Sequence, residues 1–113
     1  MIKRSFEEVK KKGKQKERIF KPFKKLDCEI RTIEEEINED RKEVYFIVEV
    51  GYYESVGELG LINSFFYDDI PTDEEILKDV EEDLKEDLKK YEDSLLSGRE
   101  EEYLKILKRL FKW

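Results

Sequence analysis

The 113-residue chain has no histidine, a single cysteine and no alanine. Without histidine, the side chain that most often transfers protons near neutral pH is missing, and histidine-ligated zinc is excluded. One cysteine excludes an intramolecular disulfide framework and a cysteine-based zinc cluster. No glycine-rich stretch matches a phosphate-binding loop. These absences favour a non-enzymatic protein that uses no cofactor.

The composition also suggests a source. Gln occurs once and Asn twice, whereas charged residues, mainly Lys and Glu, make up 47% of the chain. Enrichment in Lys and Glu with few thermolabile residues is typical of hyperthermophiles. The absence of Ala beside many Lys, Ile and Phe residues indicates an AT-rich genome. We therefore expect a small acidic protein from a thermophilic archaeon or one of its viruses.

The chain has no long apolar run, since the longest covers only residues 44–48. A membrane span needs about 20 apolar residues, so we expect no membrane association. This predicts an intracellular, cytoplasmic protein, in the host cytoplasm if the source is a virus. The lone Cys28 fits a reducing compartment, where it would act as a small buried hydrophobe.

Apolar residues are nevertheless numerous enough for a core. Leu, Ile, Val and Phe account for 34 of the 113 residues, well above the fraction of roughly 20% below which chains tend to remain unfolded. We predict a single domain over residues 1–113. Its three parts are a basic N-terminal helix or tail (1–25), a β-meander (26–70) and a helical hairpin (72–113).

Alternating residues predict three strands. The first has an apolar face formed by Leu26, Cys28, Ile30 and Thr32. Residues 44–53 show the clearest strand pattern and residues 59–67 form a third, with a polar turn over residues 38–42. Together these segments predict a three-stranded antiparallel β-meander.

Helical signals flank this meander. Ser5 and Glu8 have capping-box spacing, which predicts an N-terminal helix that Gly13 interrupts. Thr72 and Glu75 have the same spacing and begin a long amphipathic pattern. That pattern stops near Gly98, and residues 100–112 predict a second helix. The fold class is therefore α+β, in the order α-β-β-β-α-α, with helices on one face of the sheet.

Charge is segregated along the chain. Residues 1–25 carry 11 basic and 3 acidic residues, whereas residues 26–97 carry 7 basic and 24 acidic residues. One interpretation is that the basic end folds against the acidic remainder. The alternative is a nucleic-acid-binding accessory protein whose basic segment contacts phosphates. This basic segment consists of Lys10, Lys11, Lys12, Lys14, Lys16 and Arg18. No aromatic residue interrupts the lysine run to support base stacking, so direct nucleic-acid binding is the less favoured interpretation.

The long C-terminal helix is predicted to carry carboxylates opposite its apolar positions. This acidic face consists of Glu75, Asp79, Glu82, Asp83 and Glu86. It is either the solvated side of an amphipathic helix or a mimic of a phosphate row that fits the basic groove of a nucleic-acid-handling protein. The second interpretation describes an interaction protein, such as a viral, anti-CRISPR-like antagonist of a host defence complex.

Aromatic residues suggest a second surface. Neighbouring residues on a strand point to opposite faces, so some aromatic side chains of the meander must point away from the helices. Tyr53 and Phe66 are the candidates. Either the N-terminal helix covers that face, or the face is an interface for a protein partner or for a homodimer.

Three aspartates precede the long helix, namely Asp68, Asp69 and Asp73. Carboxylates are the ligands that Mg²⁺ prefers, which makes a metal-dependent nuclease a third hypothesis. Turn formation and favourable charge at a helix start explain the same residues without a metal. We therefore predict no metal site.

Overall fold

The computed structural model describes residues 1–23, 25–52, 62–92 and 98–110. The elements along the chain are α1 (Phe6–Lys12), β1 (Lys16–Phe23), a single turn (Lys25–Asp27), β2 (Cys28–Asn38), β3 (Glu43–Tyr52), β4 (Ile62–Tyr67), α2 (Asp73–Glu92) and α3 (Gly98–Leu110). The strands form one antiparallel sheet in the order β1-β2-β3-β4. The predicted α+β class is confirmed, but the described sheet has four strands rather than three.

The additional strand, β1, lies where the sequence predicts a helix. The Ser5 side chain starts α1 by accepting a hydrogen bond from the backbone N–H of Glu8 at 3.2 Å. The helix ends at Lys12 because Gly13 has a φ of 87°, a conformation that favours glycine. The chain then runs back along β2 as an edge strand. An edge strand tolerates Lys and Pro and needs no apolar alternation, which is why the sequence gives no strand signal here.

The helices that the structure describes all pack on one face of the sheet. On this helix face, alternate residues of β3, from Val44 to Val50, are buried. They share one core with Val9 of α1, Ile76, Val80, Leu84 and Leu88 of α2, and Tyr103 and Leu107 of α3. Cys28 is buried in the same core, as predicted. On the opposite face, which none of the described helices covers and which we call the open face, lie Tyr45, Ile47 and Phe66.

A β-bulge in β2 changes which residues face the helices. The pairing with β3 shifts between Ile30 and Thr32, so Arg31 is an extra residue. Beyond the bulge, Ile33 lies on the helix face and Thr32 on the open face. The assignment of Thr32 to the same face as Ile30 is therefore wrong, because strict alternation does not allow for an inserted residue.

The bulge also accounts for a glycine in the middle of the sheet. The Arg31 guanidinium lies against Gly51 of β3, where any Cβ would overlap it. The Nε of Arg31 is 3.4 Å from Oε1 of Glu29. Glycine thus allows a half-buried arginine to pack onto the open face of the sheet.

Glu35 of β2 is a fully buried carboxylate on the helix face. Its Oε2 accepts a hydrogen bond from Nε of Arg4 at 3.3 Å, and its Oε1 accepts one from Nη2 of Arg4. Oε1 also accepts from the backbone N–H of Gln15 at 3.1 Å, while Arg4 Nη2 donates to the carbonyl of Gly13 at 2.8 Å. The hydrogen bond from Arg4 holds the pKa of Glu35 below its ordinary value, although burial acts in the opposite direction. These contacts connect the N-terminus and the start of β1 to the centre of the sheet.

Replacing Arg4 by Met should destabilise the protein, because it leaves the Glu35 carboxylate buried without a cation. We expect the free energy of unfolding at pH 7 to fall, and to fall by more than when an exposed ion pair is broken, because the carboxylate of Glu35 stays buried. The double variant R4M/E35Q removes the remaining charge and keeps an acceptor for Gln15, so it should regain most of the loss. Urea unfolding followed by circular dichroism measures both changes.

The pH dependence of stability distinguishes the effect of the unpaired Glu35 carboxylate in R4M from the effect of lost side-chain packing. In the wild type, the stabilisation from Glu35 is present above its ordinary pKa of 4.5 and is lost as the pH falls through the lower folded-state pKa. In R4M, burial without the cation raises the pKa of Glu35, so acidification should stabilise that variant instead. The control K3M breaks the exposed pair with Asp69 and should cost at most about 1 kcal/mol. Equal stability of R4M and K3M would contradict the prediction.

Candidate functional site

Thr72 caps the start of α2, as its spacing to Glu75 predicts. The backbone N–H of Glu75 donates to Oγ1 of Thr72 at 3.2 Å, and the Thr72 hydroxyl donates to Oε1 of Glu75 at 3.3 Å. Three acidic residues in the first turn interact favourably with the positive end of the helix dipole. This local chemistry fixes where α2 begins and therefore which of its carboxylates face outward.

Part of the predicted acidic face makes contact with β4. Oδ2 of Asp79 accepts a hydrogen bond from the Tyr67 hydroxyl at 2.7 Å. Oδ2 of Asp83 accepts one from Nδ2 of Asn63 at 2.6 Å. Both aspartates are half-buried. These two carboxylates fix α2 to the sheet, so they are only partly available to a partner.

The same flank of α2 continues with Asp87, whose Oδ2 accepts from the Tyr103 hydroxyl of α3 at 2.7 Å. Burial raises the pKa of Asp83 above its ordinary value, and the neighbouring carboxylates of Asp87 and Glu86 raise it further. Burial, followed by the hydrogen bond to Asp79, raises the pKa of the Tyr67 hydroxyl. Asp79, Asp83 and Asp87 therefore form an aspartate row that joins α2 to its neighbours.

The other three predicted residues of the acidic face, Glu75, Glu82 and Glu86, are exposed. We call them the acidic ridge. Glu82 and Glu86 are one helical turn apart, about 6 Å along the axis. Within the described part of the chain, Glu82 and Glu86 have no hydrogen bond or ion pair, and Glu75 bonds only to Thr72. The carboxylates of the ridge are therefore available to a cationic surface.

A carboxylate on the other flank of α2 is already neutralised. Glu81 lies between Nζ of Lys25 at 2.9 Å and Nζ of Lys85 at 3.2 Å. The hydrogen bonds from Lys25 and then Lys85 lower the pKa of Glu81. The i,i+4 pairing of Glu81 with Lys85 is the one that the sequence spacing predicts. Glu81 is thus not part of the ridge.

The basic segment does not form a single surface. Lys10 of α1 lies 4.0 Å from Oε1 of Glu39, and its Nζ is 5.6 Å from the centroid of the Phe6 ring. Nζ of Lys14 is 2.8 Å from Oε2 of Glu36, and the hydrogen bond between them raises the pKa of Lys14. The remaining members, Lys11, Lys12, Lys16 and Arg18, are exposed. Two lie in α1 on the helix side of the sheet, and two lie on the open face of β1, so the four cations are divided between opposite sides.

Other N-terminal cations contact the acidic part of the chain. Nζ of Lys3 is 2.6 Å from Oδ1 of Asp69, and Lys21 pairs with Asp73. Together with the pairs of Lys14, Lys25 and Arg4, these contacts confirm that the basic end folds against the acidic remainder. The charge segregation in the sequence therefore becomes mutual neutralisation in the fold.

The same contacts weaken the magnesium hypothesis. Asp69 and Asp73 each face a lysine, and Asp68 is exposed. Among the described residues, no group of three or more acidic or cysteine side chains is placed to hold a metal ion. The aspartates before α2 are explained by ion pairing and by the start of the helix.

The open face of the sheet holds the exposed aromatic candidate. Phe66 is 67% exposed and pairs across β4 and β3 with Ile47. Its ring centroid is 6.4 Å from that of Tyr45, at an interplanar angle of 42°. The other candidate, Tyr53, lies outside the described residues. Phe66, Tyr45 and Ile47 thus form an apolar strip near the β4 edge.

A cleft of about 500 Å³ lies between the N-terminus and the β2–β3 turn. Its cationic lining includes Arg41 and Lys42, which sequence reasoning did not single out because a polar turn explains them. Lys3 and Arg4 also line it, but each is paired with a carboxylate. The carboxylates of Glu43 and Asp68, which also line the cleft, offset the charges of Arg41 and Lys42. The cleft therefore has little net positive charge with which to attract an anion.

Comparisons with protein-family models, with curated proteins and with solved structures give no match to this chain. No helix within the described residues is long and apolar enough to cross a membrane.

Replacing Asp83 by Asn should stabilise the protein slightly at neutral pH. Because folding raises the pKa of Asp83, the ionised carboxylate is less stable in the folded state than in the unfolded state. An asparagine carbonyl can still accept the hydrogen bond from Asn63. The gain should disappear as the pH falls below the ordinary pKa of 3.8, where Asp83 is protonated in both states. Thermal unfolding over a pH series measures this.

The control for this experiment is E82Q. It removes one negative charge at an exposed position in the middle of the same helix, away from the helix dipole at its first turn. An equal gain for E82Q and D83N would show that net charge, and not burial of Asp83, is the cause.

Proposed function

We propose that this chain is a non-enzymatic interaction protein that binds a nucleic-acid-handling protein through the acidic ridge of α2. The observation that carries the proposal is the exposure of Glu75, Glu82 and Glu86 along one side of a 20-residue helix. A partner with a basic nucleic-acid groove has the complementary charge.

The way α2 is held supports this proposal. Ile76, Val80, Leu84 and Leu88 are each at most 1% exposed, so the helix is fixed along its length. The aspartate row adds hydrogen bonds to β4 and α3 on one flank. A ridge on a fixed helix loses little conformational entropy on binding, because its backbone is already ordered.

The electrostatics point in the same direction. The chain has a formal net charge of −7, and much of its N-terminal positive charge is used in internal pairs. The unpaired carboxylates of the ridge therefore contribute to the excess negative charge. Such a field speeds association with a basic surface and weakens with added salt.

The chemistry of the chain supports a non-enzymatic role. It has no histidine, and its single thiol, Cys28, is fully buried. We further propose that the protein is an antagonist, such as an anti-CRISPR-like inhibitor from a virus of a thermophilic archaeon, acting in the host cytoplasm. The composition rich in Lys and Glu and the acidic ridge support this finer proposal.

The alternative is an accessory protein that binds nucleic acid through the basic segment. It is supported by four exposed cations, Lys11, Lys12, Lys16 and Arg18. Their division between two sides of the sheet gives them no common groove for a phosphate backbone. For this reason we favour the acidic ridge.

Neutralising the acidic ridge should abolish partner binding. The test compares three immobilised baits in an archaeal cell extract: the wild type, E75Q/E82Q/E86Q, and the control E39Q/D40N/E43Q. The control removes three charges from the β2–β3 turn and the start of β3. We expect mass spectrometry to identify nucleic-acid-binding proteins that the wild type and the control retain and the ridge variant loses.

Duplex DNA should then compete with the chain for the purified partner, because both would occupy the same groove. Retention of the same proteins by the ridge variant, or failure of DNA to compete, would overturn the proposal. Gln is compatible with the capping box at position 75, so the ridge variant should keep α2 intact.

The alternative predicts a different result with labelled single- and double-stranded DNA and RNA. If the alternative is correct, the affinity of the wild type for nucleic acid falls steeply as salt is added. For duplex DNA, the slope of the logarithm of the binding constant against the logarithm of the salt concentration should become shallower by about 0.9 for each phosphate contact that a variant removes. K11Q/K12Q/K16Q/R18Q should then bind more weakly. Our proposal expects no binding by either protein at moderate salt. Point variants are needed because deleting residues 1–25 would remove β1 and the cation that pairs with Glu35.

A further inference from the structure

The two edges of the sheet differ in how they are protected. The β1 edge carries Lys16, Lys21 and Pro22, and its pairing is irregular between Arg18 and Lys21. Lysine, proline and bulges are the features by which natural sheets block pairing with another strand. At the opposite edge, β4 has the sequence INSFFY, with no charge, no proline and a regular register.

Beside β4 lies the apolar strip of the open face. Phe66 is 67% exposed, and Ser64 next to it is exposed as well. Among the described residues, no strand pairs with the outer side of β4. An uncharged edge strand next to exposed apolar side chains is a template for strand pairing.

We propose that β4 is the contact between two copies of this chain, which pair antiparallel so that the sheet continues from one copy into the other. Two copies with a net charge of −7 each repel one another. The strand itself adds no charge to such a contact, because β4 is the one described element with no charged residue. The carboxylates of Asp79 and Asp83, which bond to Tyr67 and Asn63, belong to α2 on the helix face of the sheet. A strand of this kind is complementary to itself.

The charges that flank β4 determine the orientation of the pair. Asp68 and Asp69 follow directly at its C-terminal end. Parallel pairing would place these acidic pairs side by side. Antiparallel pairing places them at opposite ends of a six-residue strand, about 20 Å apart. That separation exceeds the screening length of about 8 Å at physiological salt.

Antiparallel pairing of identical strands also limits the assembly to two copies. The two copies are related by a two-fold axis, so each uses the same surface and no free β4 edge remains. The protected β1 edges then end the sheet on both sides. The expected product is a dimer and not a filament.

Sedimentation equilibrium of the full chain over a range of micromolar concentrations tests the proposal. We expect reversible association to twice the chain mass. F66K places a lysine beside the pairing edge and should raise the dimer dissociation constant by at least about tenfold. S64K makes the same kind of change at an exposed polar position of β4 and should act in the same direction.

The matched control is F20K, which makes the same substitution at a residue of β1 that is 57% exposed. It should leave the dissociation constant unchanged, and circular dichroism should show that all variants are folded. Hydrogen exchange should show β4 amides that become more protected as concentration rises. A monomer at every concentration, or a dimer that F20K weakens and F66K does not, would overturn the proposal. The acidic ridge plays no part in this test, so its outcome is independent of the proposed partner binding.

Discussion

The buried carboxylate of Glu35 is the constraint on which the N-terminal third of the structure depends. A carboxylate in an apolar core requires a cation and hydrogen-bond donors, and here they come from Arg4 and the backbone of Gln15. Meeting that requirement holds the N-terminus, Gly13 and the residue before β1 against β2. The fourth strand and the buried ion pair are therefore parts of one arrangement.

Pairing of charged side chains within the molecule also determines which surfaces remain available to a partner. N-terminal lysines face acidic side chains of β2 and α2, and the aspartate row bonds to Asn63, Tyr67 and Tyr103. After these pairings, the acidic ridge remains exposed on α2, together with Glu74 and four exposed lysines, Lys78, Lys85, Lys89 and Lys90. Among the described residues of the sheet, two large apolar side chains are exposed, Phe66 of β4 and Phe20 of β1, and only Phe66 lies on an edge strand with no charged residue. The two candidate surfaces thus lie on different parts of the molecule and have different chemistry.

Periodic patterns of apolar residues in the sequence predict those helices and strands that bury one face in the core. β3 and the start of α2 follow from alternation and from the capping box, and both are confirmed. β1 was missed because an edge strand needs no apolar face, and Thr32 was misassigned because a bulge interrupts alternation. Glu35 lies in a run of three glutamates, so nothing local distinguishes the buried one. For Asp79 and Asp83, sequence identifies the helix but not their hydrogen bonds to β4, which depend on long-range packing.

The sequential strand order has a consequence for how the chain folds. Because every strand pairs with its neighbour in sequence, each hairpin closes a short segment and needs no other part of the chain in place. The contacts of Lys3 with Asp69 and of Lys21 with Asp73 span 66 and 52 residues. The pair of Lys21 with Asp73, the first residue of α2, forms only when α2 docks on the sheet. The pair of Lys3 with Asp69 forms only when the N-terminus reaches the end of β4. Folding should therefore proceed from a local meander to a late docking step, in which attraction between the basic residues 1–25 and the acidic residues 26–97 speeds their encounter.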